Sequence, residues 1–319
     1  MNLDTLAKRA GDVTEPTPNA LVTGRHQLDE AINAAGVRVT AVRRRRRPRR
    51  WGITALAGAA AAAVAVLAVP LGVASPASAE EVLLAAAEAA GQQVDEAAGA
   101  AYWHVVSQID YPETEPFRRE IWQGRFEESI LHNEFEAARA AGDGALDPAL
   151  IRTEGLGAPA MFAVGGTALS WEDLESLPTD PVELEAHLRE VVSGHQSGEE
   201  NELWESVTGL LRESPASPAL RRALWQVAAN MPDVELVGTM TDSAGRQGTA
   251  VERNQLDVGW FRFVYILDPA DGTLLETQNI DADGNVVYRQ TLLGQQPSAT
   301  APEAQPPLCG PGSEDGRSC

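Results

Sequence analysis

Cysteine is missing from the first 308 residues of this 319-residue chain. No disulfide therefore staples its body, and no thiolate stands ready there as a nucleophile or zinc ligand. The two cysteines, Cys309 and Cys319, lie at the far end, where an oxidising compartment would let them close a small loop outside any core. Histidine is scarce too. His104, His132, His187 and His195 fall in the part able to fold, and none belongs to an H-E-x-x-H pair or another metal-ligand spacing. The chain has no P-loop, no dinucleotide fingerprint and no G-x-S-x-G elbow. Gly165-Gly166-Thr167 is too short to cradle a phosphate. Asp281-Ala282-Asp283-Gly284-Asn285 begins like a calcium loop, but the twelfth position, which needs an acidic ligand, is Leu292. These absences leave no catalytic, metal-binding or cofactor-binding residue to name and no cofactor to expect. A non-enzymatic protein is the reading.

The longest absence is of charge. No charged residue occurs from Trp51 to Ala79, and the only polar side chain between Trp51 and Val69 is Thr54. About 20 such residues cross the bilayer hydrocarbon as a helix, because a lone strand would leave its backbone groups unsatisfied in lipid. A transmembrane helix is expected over residues 51–74. Arg43 to Arg47, Arg49 and Arg50 stand immediately before it, and arginines beside a span stay in the cytoplasm. The amino terminus is thus expected inside and the carboxyl terminus outside.

Charge divides at the same place. Residues 1–50 hold 11 Lys and Arg against 5 Asp and Glu. The remaining residues hold 14 against 41, so a basic tail adjoins a strongly acidic domain. The acidic side excludes nucleic acid as its partner. Ala77-Ser78-Ala79 also matches the small-x-small site of signal peptidase, which would free residues 80–319. Two features weigh against cleavage. Some 50 residues precede the apolar run, and the run is longer than the ~7–15 residues of a signal core.

The cytoplasmic tail, residues 1–50, is too short and polar to bury a core and is expected to be largely disordered. Leu28, Ile32 and Ala35 mark one face of a short helix ending at Gly36. That face suits docking of a cytoplasmic protein through residues 1–40. Residues 80–294 read as an extracytoplasmic α+β domain. An Ala-rich helix over 80–99 comes first, with Leu83, Ala87, Ala90 and Val94 as its stripe. Strands follow at 102–109, 118–125 and 128–132, with Phe117, Ile121 and Phe126 alternating imperfectly.

Asp180-Pro181-Val182-Glu183 is a helix start, combining an N-cap, a first-position proline and a capping-box glutamate. Leu184, Leu188 and Val191 form its buried stripe. A helix over 203–211 and one opened by Ser217-Pro218 follow, the latter with Leu220, Leu224 and Val227 inward and Met231-Pro232 closing it. Strands at 234–240, 247–253, 260–267, 273–280 and 285–293 make a meander with Asp271-Gly272 and Asp283-Gly284 as hairpin turns. The expectation is a mostly antiparallel sheet covered by helices on one face. Residues 295–319, with five Pro and three Gly, read as a disordered tail.

The order of several short motifs carries a resemblance. Tyr102-Trp103 comes first, then Leu177-Pro178-Thr179-Asp180-Pro181 and Met231-Pro232-Asp233-Val234. Asp242-Ser243-Ala244-Gly245-Arg246-Gln247-Gly248 follows, then Leu267-Asp268-Pro269 and Gly272-Thr273-Leu274-Leu275. Together with the arginine boundary and the single span, they resemble a family of actinobacterial single-pass membrane proteins often encoded beside extracytoplasmic-function sigma factors. The outer domain is similar to the half-barrels of periplasmic lipoprotein carriers and sigma-regulatory proteins. The resemblance implies an envelope-signalling setting and supplies no catalytic residue. Three functions are compatible with this reading. One is a sensor binding a ligand or protein outside the cell. A second is an anchored carrier holding lipid or lipoprotein acyl chains against Trp122, Trp260, Phe261 and Phe263. A third is a hydrolase using His104 or His132.

Overall fold

A computed structural model describes residues 78–305, apart from 113, 143, 195–197, 256–258 and 260. The basic tail, the expected span, His195, Trp260, Cys309 and Cys319 lie outside the described residues. Among the described residues, no helix is long and apolar enough to cross a membrane.

The first helix, α1 (Ala79–Gly91), is capped by the Ser78 side chain, which accepts from Glu81 N at 3.2 Å. Glu80 and Glu81 in its first turn suit the positive end of the helix dipole. It stops at Gly91, eight residues before the expected end, and Val94 of the expected stripe is exposed. A Cβ on Gly91 would sit 2.9 Å from Arg222 Cδ, so the last residue of this helix lies close against a side chain far away in sequence.

Three strands follow: β1 (Tyr102–Asp110), β2 (Phe117–Gly124) and β3 (Ile130–Asn133). A short helix α2 (Phe135–Ala141) leads to β4 (Arg152–Gly155). The hairpin β5 (Met161–Val164) and β6 (Thr167–Ser170) forms a separate two-stranded sheet. Four helices come next: α3 (Trp171–Glu175), α4 (Pro181–Val192), α5 (Glu199–Glu213) and α6 (Pro218–Asn230). Asp180 caps α4, accepting from Val182 N and Glu183 N, while the full reciprocal capping box forms at Ser170 and Asp173 of α3. Leu184, Leu188 and Val192 are buried, the last replacing the expected Val191. The meander is β7 (Val234–Thr241), β8 (Gln247–Asn254), β9 (Arg262–Leu267), β10 (Leu274–Ile280) and β11 (Val286–Ser298).

Nine strands form one antiparallel sheet in the order β4-β3-β2-β1-β11-β10-β9-β8-β7. β11 runs to Ser298, past the expected domain boundary at 294, because β1 pairs with it from Tyr102↔Ser298 onward. Beyond it the chain reaches the β4 edge, where Gln305 exchanges two backbone bonds with Thr153 and Gly155. Residues 295–305 therefore belong to the fold, contrary to the expected disordered tail.

Antiparallel partners share a face, and on the inner face Trp103, Val105, Ile121, Val251, Tyr265, Leu267 and Leu292 join the main core. Helices α1, α4, α5 and α6 supply much of the remainder, including Leu83, Leu188, Trp204, Leu224 and Trp225, each at most 1% exposed. Burying one such side chain stabilises the fold by roughly 1.5–3 kcal/mol.

The quoted motifs are joints of this fold. Bulges interrupt the ladder at Leu274/Glu276 and at Val106/Ser107, opposite Leu292 and Gly294. A bulge releases backbone groups from the ladder, and a buried carbonyl needs another partner. Arg246 supplies it: its Nη2 donates to Leu275 O at 3.3 Å and Leu292 O at 2.6 Å. Asp242, its side chain fully buried, accepts from Arg246 Nε and Arg246 N. Gly272, at φ +73°, turns β9 into β10 and accepts from Trp225 Nε1 at 2.8 Å. A Cβ there would lie 2.4 Å from Ala86 O on α1.

Two glycines separate backbone strain from packing. Gly284 also has positive φ, but its missing Cβ faces open space. Gly284→Ala should lose about 1 kcal/mol from the left-handed conformation alone. Gly272→Ala should lose roughly 2–4 kcal/mol, because the turn must also retreat from α1. Urea unfolding of the two variants measures the difference, and equal losses would refute this account of Gly272.

Candidate functional site

The inner face is not filled everywhere. Directly paired residues set two rows across β8, β9, β10 and β11. Arg253, Phe263, Asn279 and Tyr288 form one, and Val251, Tyr265, Thr277 and Gln290 the other. Where α5 covers these rows, a cavity of about 350 Å³ remains, placing it near the lower end of small-molecule sites. Its roof is Trp204, Glu205 and Arg212 of α5, and its walls include Phe261, Phe263, Tyr265, Tyr288, Arg253 and Thr277.

The aromatic groups are ordered against one another. Trp204 meets Tyr265 edge-on with centroids 5.1 Å apart, and Phe261 meets Phe263 at 6.2 Å. Arg253 places its guanidinium 5.5 Å from the Trp204 ring centre and donates from Nη1 to Glu200 O at 3.2 Å. Burial pushes the Arg253 guanidinium below its ordinary pKa. Burial likewise raises the Tyr265 hydroxyl, which donates to Glu205 Oε1 at 3.3 Å. The carboxyl of Glu205 is pushed up by desolvation, against the opposing pull of the Arg212 charge and the bond from Tyr265.

Nine buried side-chain polar atoms among the described residues have no hydrogen-bond partner. Four of them line this one cavity: Trp204 Nε1, Arg212 Nε, Arg253 Nε and Thr277 Oγ1. Such a group is destabilising by about 1–3 kcal/mol when nothing meets it. Their convergence on one aromatic cavity marks it as the candidate binding site.

No family model matches the chain, and no curated protein matches it in sequence. Solved structures are similar to it at low scores. MucB in complex with MucA(peri) has a TM-score of 0.30 and 15% identity, over 70% of this chain and 57% of that one. The Pseudomonas aeruginosa MucA/MucB complex has a TM-score of 0.30 and 16% identity, over 70% and 58%. A LolA superfamily protein from Nitrosomonas europaea has a TM-score of 0.22 and 10% identity, over 71% and 96%. The chain thus spans little more than half the length of the MucB chains. Scores this low carry no argument about function.

The residues weighed in the sequence scatter. His104 lies on the outer face, stacked on Trp122 at 4.1 Å and donating from Nε2 to Glu120 at 2.8 Å. Burial acts to raise the Glu120 carboxyl, but Arg118 and His104 outweigh it and hold the group low. His132 contacts Thr153 Oγ1 at 2.7 Å, and His187 is exposed. None of these histidines lines the cavity. Gly165 sits at the tip of the β5–β6 hairpin, its N donating to Ser206 Oγ. Asp281 spends its carboxylate on Asp283 N, Asn285 N and the Asn285 amide, which closes a hairpin turn. Among the described residues, no three His, Cys, Asp or Glu group as a metal site. Of the aromatics assigned to a carrier, Phe261 and Phe263 line the cavity and Trp122 does not. The sequence reading missed Trp204, Arg253, Tyr265, Thr277 and Tyr288. The signal available was Arg253 alternating with Val251 inside a strand, a charge at a position whose neighbours face inward.

Beside the cavity, Glu213 ties α5 to the sheet by accepting from Arg119 Nη1 at 3.2 Å and Gln290 Nε2 at 3.1 Å. Burial acts to raise its carboxyl, but Arg119, Arg212 and Gln290 outweigh that and hold it below the ordinary range. A depressed carboxyl stabilises the fold above its unfolded pKa, and the contribution fades as pH falls through the folded value. Glu213→Gln should lose about 1–2 kcal/mol at neutral pH, with the gap to wild type closing below about pH 4. Thermal unfolding across this range is the measurement, and a gap that widens in acid would contradict the sign.

Proposed function

We propose that this chain is a single-pass membrane protein whose outer domain is a sensor or binding module without enzymatic activity. The α5 cavity carries the binding part of this reading: aromatic walls, unpaired buried donors, and none of the histidines considered as catalytic groups. The anchor rests on the uncharged stretch 51–79 and the arginines before it. Helix α1 adds support, since Ser78 caps it and Ala79 is buried in its core. A peptidase cutting after Ala79 would detach a cap worth about 1 kcal/mol together with a core residue. The tail, residues 1–40, is the segment that would pass the signal to a cytoplasmic protein, in keeping with the envelope-signalling setting of the resemblance.

An anchored carrier of lipid or lipoprotein acyl chains is the second reading, favoured by Phe261 and Phe263 at the cavity wall. It has little room, because the helices already fill most of the inner face with their own side chains.

Native cysteines report the topology. In intact cells treated with a reductant, a membrane-impermeant maleimide should label Cys309 and Cys319 of the membrane-bound chain. Labelling only after lysis, or recovery of the chain from the medium starting at Glu80, would overturn the anchored arrangement.

A further inference from the structure

We propose that the α5 cavity binds an amphipathic carboxylate, its apolar part a single aromatic or branched group. This deepens the binding reading above and rests on it. The acidic groups around the cavity have partners: Glu205 accepts from Tyr265, Glu200 from Arg189, and Glu202 is likewise engaged. What lacks partners is donors. Arg253 is 3% exposed and Thr277 4%, and neither Arg253 Nε nor Thr277 Oγ1 has a hydrogen bond.

Arg253 is also held in place. Its Nη1 is fixed on Glu200 O and its plane lies over Trp204. The edge that remains is the fork of Nε and Nη2, which matches the two oxygens of a carboxylate. Thr277, two strands away and one row along on the same face, adds a hydroxyl to the cavity lining. Both unpartnered atoms are covered by neighbouring side chains, so an acceptor oxygen reaches them once an aromatic neighbour turns aside.

Size sets the apolar part. At about 30 Å³ per water molecule, the cavity of about 350 Å³ equals the volume of roughly a dozen waters. That accommodates one ring with a short acidic arm. Phe261, Phe263 and Tyr288 supply the surface for such a ring. The carboxylate can belong to a free small acid or to the terminal residue of a polypeptide, since the cavity is open on one side.

Equilibrium dialysis of the full chain in detergent micelles tests this with matched probes. These are 3-phenylpropionate, 3-phenylpropionamide and 3-phenylpropan-1-amine, with a glycyl-glycyl-phenylalanine tripeptide as the polypeptide source. The acid should bind at least tenfold more tightly than the amide or amine. Arg253→Lys, which keeps the charge and loses the fork, and Thr277→Val should each weaken the acid by a larger factor than the amide. Tighter binding of the tripeptide than of the free acid would support the carboxylate and assign its source to a chain end. Equal binding of all three small probes, lost in Trp204→Ala, would overturn the carboxylate and keep the cavity. No binding of any probe, or acid binding unmoved by Arg253→Lys and Thr277→Val, would overturn the carboxylate as well.

Discussion

One face of a nine-stranded sheet has to be hidden from water, and the rest of the structure follows from how the helices do it. Helix α1 offers alanines, so it lies close against α6, and the missing Cβ atoms of Gly91 and Gly272 mark the tightest approaches. Helix α6 sends Trp225 to the β9–β10 turn. Helix α5 lies over β8 to β11, where the sheet presents Arg253, Thr277 and Tyr288 in place of aliphatic side chains. Bulky aliphatic groups interlock and seal, whereas a guanidinium stacked on an indole leaves space beside it. The cavity is the consequence of polar residues placed where packing asks for apolar ones.

The sheet's own irregularity is managed separately. Two neighbouring bulges free carbonyls on β10 and β11, and Arg246 gathers both. Its hairpin is pinned from the other side as well, because Glu276 accepts from Ser243 N at 2.8 Å. The motif Asp242 to Gly248 is therefore a structural clasp. A Cβ on its last residue would strike Ile266 and the Leu267 carbonyl. Residues that make a sequence look familiar can be joints, and here they say nothing direct about a ligand.

Local chemistry was legible in the sequence and distant chemistry was not. Asp180, Ser217-Pro218, Asp271-Gly272 and Asp283-Gly284 act within a few residues of themselves, and each caps or turns where its side chain dictates. The end of α1 at Gly91 lies against Arg222, more than a hundred residues away, and the Ala-rich composition overran it. β11 continues through Pro297 because β1 lies alongside, although proline ordinarily argues against a paired strand. Phe261 and Phe263 could be singled out as aromatic neighbours. Arg253 carried only the weak signal of alternating with Val251, since a charge in a strand usually marks the wet face, and the register with Phe263 is what puts it inside.

The contrast between the sheet's two faces argues that the unpaired donors are not an accident of a crowded interior. Glu276 on the outer face is 1% exposed, yet its oxygens accept from Ser243, Thr291 and Gln278, with Arg289 close by. The same chain that surrounds one buried carboxylate with partners leaves Arg253 Nε and Thr277 Oγ1 bare on the opposite face. A buried group without a partner lowers stability, and a purely structural solution was within reach, since an aliphatic residue at either position would pack against Phe263 or Tyr265. Local rules are broken where function requires it and stability is made up elsewhere. Here the compensation is the filled half of the inner face, and the exception is the aromatic cavity under α5.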